Sequence, residues 1–391
     1  MNAAHNLGAS SVATVWQSAQ YPEIKTRIAI AGDFLPAGNL AIGAATSWRE
    51  LAVPLLPHFA DVDTTFVNLE CALDVDDLQA RPLNGIGQIV WANGEVIDYL
   101  AAIRCRGVSL ANNHAYDFGP AGVQRTRKAL LARQLVPLGA GRVVRDTPEI
   151  FVWQGPGDLR VGFWAAAKAS RELATRTMAG VEPATNSRAD EALALMKESG
   201  VTFSIALLHA GSLRTNRPAP EDVTLCRALA TGGFDIVAAA HSHRIAGAER
   251  FTHNDGRQSF CFYGLGSVVS GYIASEAERE GLIVIAGFDS TGHLVEISVR
   301  PVFLLYSGLG EVPSLAKADS IVDRFSALSA EIGDGSYRSA FYRDVSANLI
   351  NLYLRDARAA LCHSGIRGLI RKAARIRLCH VKRLMHRIFA T

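Results

Sequence analysis

Six side chains carrying oxygen or nitrogen donors stand where apolar runs stop. Asp33, Glu70, Asn113, His209 and His241 each lie at or just past the carboxyl end of a separate run, and His243 follows two residues after His241. Two carboxylates, an amide and three imidazoles form a donor set that suits a pair of divalent ions such as Mn, Fe or Zn. Taken singly, each has an ordinary explanation. An acid after a strand commonly caps the next helix, a histidine can be a hydrogen-bonded core residue, and Asn112-Asn113-His114 can be a turn, since asparagine tolerates left-handed backbone. Coincidence at five separate strand ends is the weaker account, so a shared metal site is expected. His241 and His243, spaced by two on a strand exit, are expected to point the same way.

The elements that must position these groups alternate. Strands are expected over 27–33, 64–70, 107–112, 201–209 and 234–241, which are near-continuous and β-branched as doubly buried strands should be. Helices are expected over 120–133, opened by Pro120, over 187–199 with Asp190 and Glu191 in its first turn, and over 220–231 before Gly232-Gly233. Such alternation predicts an α/β architecture, in which ligands bind beyond the carboxyl ends of the strands. Strands at 258–265, 281–288 and 293–305 follow. Beyond Tyr306 helices are expected over 314–331 and 338–361.

The order of Gly32-Asp33, Asn68-Leu69-Glu70, Ala111-Asn112-Asn113-His114 with Tyr116-Asp117-Phe118-Gly119, His209-Ala210-Gly211, Ala240-His241-Ser242-His243 and Tyr263-Gly264-Leu265-Gly266 resembles that of the CapA family. These are the poly-γ-glutamate capsule synthesis proteins of the calcineurin-like metallophosphoesterase superfamily. The resemblance covers about residues 27–305. It divides the chain into an N-terminal segment (1–26), a CapA-like metallophosphatase domain (27–305) and a helical C-terminal region (306–391). It implies a four-layer α/β/β/α metallophosphatase-like sandwich with a C-terminal helical extension, and two divalent ions. The resemblance further implies, by position, that Glu70 is the bridging carboxylate, that Asn113, His209 and His241 serve one ion, and that Asp33 and His243 serve the other. His114 takes the place of the catalytic histidine beside the metals. The chain departs from the pattern at Leu35, where the wider superfamily has the histidine of its Asp-x-His motif, at Ala210 and Leu213, and at Ser267.

If metals bind, hydrolysis is the chemistry: a pair of cations activates water and clamps the attacking and leaving oxygens. His114 is suited to protonate the leaving group, because an imidazole exchanges its proton near neutral pH. Asp117 either orients that ring or caps the helix at Pro120. Arg214 and Arg217, in the loop after His209, are candidate grips for phosphate or carboxylate oxygens, solvated loop arginines being the alternative. Lys168 and Arg171 are weaker candidates of the same kind.

A chain of 391 residues, 49% hydrophobic and 20% charged, has ample material for a core, which excludes a disordered or disulfide-stapled protein. Its net charge of +3 conceals two regions: residues 355–391 hold ten of the 40 basic side chains and one of the 37 acids, so a +9 tail follows a −6 body. In the tail Ile366, Leu369, Ile370, Leu378, Val381, Leu384 and Ile388 recur at helical spacing, with basic residues mostly opposite. A basic amphipathic helix suits an anionic membrane surface, docking on the acidic body being the other reading. With Phe389 its one aromatic, the tail gives no reason to expect nucleic acid as a partner. Six scattered cysteines without metal or disulfide spacing, and no signal peptide or membrane-length apolar run, predict a cytoplasmic protein, at most peripherally bound to membrane. The expected function is a CapA-like metal-dependent hydrolase of phosphoester or γ-glutamyl (amide) bonds in capsule or poly-γ-glutamate-type polymer synthesis. Its partner would be an anionic substrate, a phosphoester or glutamyl polymer. The alternative is a non-catalytic, membrane-associated component of a polymer assembly system.

Overall fold

The structure, a computed structural model, describes residues 12–20, 23–38, 40, 46–78, 88–168, 170 and 172–347. The chain begins with β1 (Ala13–Gln17) and the long β2 (Thr26–Gly38). The short helix α1 (Trp48–Leu51), capped by Ser47, leads to β3 (Thr64–Leu69). β4 (Ala72–Leu73) pairs with β5 (Trp91–Ala92) as a small side ribbon, and α2 (Ile97–Ala102) returns the chain to β6 (Cys105–Ser109). After α3 (Gly119–Ala132) come β7 (Val136–Leu138) and β8 (Ala140–Arg142), which pairs with the later β11 (Gly180–Val181). The second half holds β9 (Ile150–Gln154), β10 (Arg160–Ala167), α4 (Asn186–Glu198), β12 (Phe203–His209), α5 (Pro220–Gly232), β13 (Ile236–Ala240), β14 (Ala248–Thr252) and β15 (Gln258–Phe262). β16 (Ser267–Gly271), β17 (Glu280–Phe288), β18 (Leu294–Leu304) and β19 (Gly310–Glu311) return to the first half's sheet, before α6 (Leu315–Asp334).

Two sheets result. One runs β1-β18-β17-β2-β3-β6-β7, with β16 also on β2 and β19 on β18; the other runs β14-β15-β13-β12-β10-β9. Two-residue alternation decides what each face of the second sheet covers. Phe163, Ala165, Ile205 and Leu207 face the core shared with the first sheet, while Trp164, Ala166, Ala206 and Leu208 pack with Ala192, Met196, Val223 and Leu229 of α4 and α5. Phe66 of β3 stacks on Phe163 of β10 with centroids 3.4 Å apart, and Phe203 meets Phe288 edge-on at 5.0 Å. With Leu100 of α2 and Leu130 of α3 buried in the first sheet's core, the layers are α/β/β/α. This is the expected fold class.

Most expected elements occur. α3, α4, α5 and α6 begin within two residues of the expected starts, and α5 has Pro220 in its first turn and Gly233 after its end. One strand differs. The expected strand ends at Asp33, but β2 continues to Gly38, because β16 pairs with it in parallel from Ser267↔Asp33 to Gly271↔Gly38. That approach requires glycine: a Cβ on Gly32 would collide with the carbonyl of Gly266, itself at φ +65°. Ahead of residue 27, β1 joins the first sheet through β18. α6 lies on the edge strand β14, where Ser329 Oγ accepts from Ala248 N–H at 2.9 Å. The helix expected at 338–361 is seen over 337–347. Its remainder and the basic tail lie outside the described residues. No described helix is long and apolar enough to cross a membrane.

A buried histidine outside the candidate site gives a pH prediction. His58 is 1% exposed and donates from Nε2 to the Pro301 carbonyl at 2.7 Å, beside the Arg300–Asp61 pair. Burial lowers its pKa from 6.5 to about 4, so the folded chain holds it neutral. The unfolded chain binds this proton below pH ~6.5 and the folded chain only near pH 4, so stability is full above that window and falls as pH drops through it. The loss approaches ~3 kcal/mol at its foot. Thermal unfolding from pH 8 to 4 is expected to show a shallower acid decline for His58→Gln than for the parent; parallel curves would refute the assignment.

Candidate metal centre

The carboxyl ends of the parallel strands β2, β3 and β6 in one sheet and of β12 and β13 in the other open onto the same place. The alternation that turns Ile205 and Leu207 toward the first sheet also turns His209 that way. Its Nε2 lies 2.6 Å from Asn113 Oδ1 and 3.5 Å from Glu70 Oε1, and its Nδ1 3.2 Å from Asn68 Nδ2. The His241 ring packs against it at 4.5 Å. Donor atoms of Glu70, His209 and His241 all lie within 4.8 Å of one another.

A second group shares Glu70. His243 Nδ1 lies 3.0 Å from Asp33 Oδ2 and 3.8 Å from Glu70 Oε2, and Asp33, Glu70 and His243 again offer atoms within 4.8 Å of one another. The two histidines do not point the same way. β13 stops at Ala240, and His241 (φ +117°) and His243 (φ +56°) both take left-handed backbone, which breaks strand alternation and sends the rings to separate groups. The turn is held where Asp33 Oδ2 accepts from the His241 amide at 3.2 Å.

The electrostatics of this arrangement favour positive charge. Burial and the adjacent Asp33 carboxylate push the Glu70 pKa well above its usual range. Burial, followed by repulsion from neighbouring imidazoles, holds His209 well below 6.5 and brings His241 down to about 4. Burial also opposes protonation of His243, but the facing Glu70 and Asp33 outweigh it and lift His243 to about 9. Two buried atoms at the centre, Glu70 Oε2 and His241 Nδ1, have no hydrogen-bond partner among the described residues. Such orphans cost about 1–3 kcal/mol each, and both are metal-donor atoms. The residues therefore fit divalent ions.

His114 stands beside this cluster, close enough for its charge to bear on His209 and His241. Its Nδ1 is 2.8 Å from Asp117 Oδ2, which also accepts from the Val90 amide at 2.8 Å. Of the two readings of Asp117, the contact with His114 is the one observed: Phe118 is the N-cap of α3 and makes no side-chain cap bond. Two supporting residues were not singled out from the sequence. Asn68 donates to Asp33 Oδ1 at 2.7 Å, and Asn112 donates to Asn68 Oδ1 at 3.2 Å and to the Leu69 carbonyl at 2.8 Å. The available signal was a polar Asn68 between Val67 and Leu69 in a buried strand.

The loop arginines diverge. Arg214 (φ +61°) places Nε 3.5 Å from Glu278, at the edge of the histidine turn. Arg217 forks onto Glu331 of α6 at 2.7 Å for both bonds and reaches Asp344 at 3.1 Å. Its described partners thus tie the loop after His209 to the C-terminal helices. Lys168 pairs with Asp222 at 2.5 Å, and Arg171 lies outside the described residues. The Arg217 pairs are about three-quarters buried, so Arg217→Met should cost ~1–2 kcal/mol. Hydrogen exchange should rise over 337–347; unchanged exchange there would disprove the tie.

A family model described as the bacterial capsule synthesis protein PGA_cap matches residues 27–272. The chain is 29% identical over 168 residues to the capsule biosynthesis protein CapA of Bacillus anthracis, a match covering 41% of this chain and 39% of that protein. It is 27% identical over 273 residues to a probable polyglutamine synthesis accessory protein of Mycobacterium tuberculosis, covering 65% and 69%. Among solved structures, a calcineurin-like phosphoesterase of Bacillus subtilis is 12% identical with a TM-score of 0.43, covering 80% of this chain and 99% of that one. A 5'-nucleotidase precursor of Thermus thermophilus is 15% identical with a TM-score of 0.43, covering 77% and 58%. With well over half of its residues matched by the family model, and the motifs that carry the match gathered at one set of strand ends, the chain belongs to the bacterial capsule synthesis PGA_cap family.

Proposed function

We propose that this chain is a metal-dependent hydrolase of phosphoester or γ-glutamyl (amide) bonds, acting in the synthesis of a capsule or poly-γ-glutamate-type polymer. The observation that carries the reading is Glu70, a buried carboxylate shared by two donor groups with His114 alongside. Glu70 with Asn113, His209 and His241 would hold one divalent ion and Asp33, Glu70 and His243 the other. Bound Mn, Fe or Zn ions supply Lewis-acid polarisation and a water acidic enough to ionise near neutral pH. Asp117 keeps the His114 ring oriented through Nδ1, which reserves Nε2 for proton delivery to the leaving oxygen or nitrogen. Asn68 and Asn112 fix Asp33 and the loop bearing Asn113, so that the donors are in place before substrate arrives.

Metal analysis of the purified chain, with assays on an aryl phosphate and a γ-glutamyl anilide, tests this. About two equivalents of metal and hydrolysis of one substrate, both lost in His241→Ala and Asn113→Ala, are expected. Absence of metal, or unaltered turnover in both variants, leaves the non-catalytic assembly component as the better account, a reading favoured by Leu35 in place of a ligand. The basic tail we assign to an anionic membrane surface. Deleting the residues after Ser364 should reduce sedimentation with phosphatidylserine vesicles several-fold and leave hydrolysis unchanged; undiminished sedimentation would exclude that role.

A further inference from the structure

Arg244 directly follows His243 and is not among the metal donors. Its Nη2 donates to Ser275 Oγ at 3.0 Å and lies 3.6 Å from Glu278 Oε1, the oxygen that Arg214 Nε also approaches at 3.5 Å. A guanidinium offers five N–H donors. Here Nε is buried and has no acceptor among the described residues. Asp344, held by Arg217, is the other acid whose field reaches Arg244. Ser275 also lines a cavity of about 430 Å³, together with Ser270, Gly271, Ile273, Ala274, Glu276 and Tyr306. The acid in that lining is already matched: Glu276 accepts from Arg279 at 3.0 and 3.1 Å and from Tyr306 at 2.8 Å. The cavity is continuous in sequence with the metal centre, since β16 enters it from Ser267, whose Oγ is 3.4 Å from His243 Nδ1.

We propose that Arg244 selects substrates by gripping a second oxyanion, a carboxylate or phosphate one bond system away from the group that is cleaved, while the rest of the substrate enters the cavity beside Ser275. The proposal rests on the hydrolase reading above and names a determinant of its specificity. A partly buried cation directly after a metal-donor residue, short of acceptors among the described residues, gains more from a forked oxyanion than a fully solvated arginine does. Glu278 holds the side chain in place before the oxyanion arrives.

Calorimetry on the metal-free full chain, with γ-glutamylglutamate and with pyrophosphate as probes, decides the subsite and its source. Arg244→Gln is expected to weaken one probe by about 10- to 100-fold and Arg244→Lys by less, with melting temperature recorded for both. The probe that responds identifies carboxylate or phosphate. Equal affinity in parent and Arg244→Gln, or no binding of either probe to the parent, overturns the proposal. Kinetics with manganese then separates it from the underlying reading. γ-Glutamyl-4-nitroanilide is compared with 4-aminobutyryl-4-nitroanilide, and 4-nitrophenyl phosphate with its 2-carboxy derivative. A larger loss on the substrate with the extra carboxylate than on the plain one in Arg244→Gln, so that the preference disappears, supports the subsite. Hydrolysis with an unaltered preference overturns the subsite alone, whereas no hydrolysis by the parent of any of the four overturns the hydrolase reading.

Discussion

A chain carrying Glu70→Gln is expected to be more stable than the parent in chelator and less stable than the parent with divalent ions present. Glu70 and Asp33 are 1% and 0% exposed, and Glu70 Oε2 has no hydrogen-bond partner among the described residues. Without metal ions their mutual repulsion, only partly offset by the facing His243, and the burial of Glu70 oppose folding, and a neutral isostere relieves both. The gain should be about 1–3 kcal/mol. With Mn or Zn at about a thousand times its dissociation constant, the parent gains ~4.1 kcal/mol by mass action. The variant, lacking the shared carboxylate, should lose most of this gain and at least ~10³-fold in turnover. Melting temperatures in chelator and in each metal check the crossing, and a variant less stable in both conditions would contradict the proposed role of Glu70.

The second large effect concerns proton delivery. His114→Asn should lower kcat by about 10²–10⁴-fold on a substrate with a poor leaving group. Metal content should not change, because His114 meets Asp117 and is not in either donor group. The loss should shrink to a few-fold on a 4-nitrophenyl ester, whose leaving group departs without a proton. Asp117→Asn should show the same leaving-group dependence at about a tenfold loss, since the Val90 contact survives but the imidazole is held less well. Equal losses on good and poor leaving groups would mean that His114 only shapes the site.

Much of this architecture was legible in the chain itself, for local reasons. Runs such as 203–209 and 236–240 are apolar on both faces, and the structure covers one face with a sheet and the other with α4 and α5. Pro220 and Gly233 bracket α5 because one lacks an amide proton that the first turn does not need, and the other takes φ +145°. Less was legible where two distant segments decide the outcome. The continuation of β2 past Asp33 depends on β16, more than 230 residues later, coming alongside Gly32 through Gly266. Asn68, Asn112 and Arg244 were not singled out because their partners lie on other strands and loops.

The sequence by itself determined the donor types, their order and their place at strand ends, because strand periodicity and side-chain chemistry are local properties. Only the tertiary structure decided which histidine faces which carboxylate. Inside a strand the two-residue alternation sets a side chain's direction. At His241 and His243 the backbone is left-handed, and its course is set by Asp33 across the sheets. The loop arginines follow the same rule. Arg217 is drawn to Glu331 and Asp344, while Arg244 is left after the histidine turn with an N–H unmet among the described residues, an arrangement that depends on where the C-terminal helices pack.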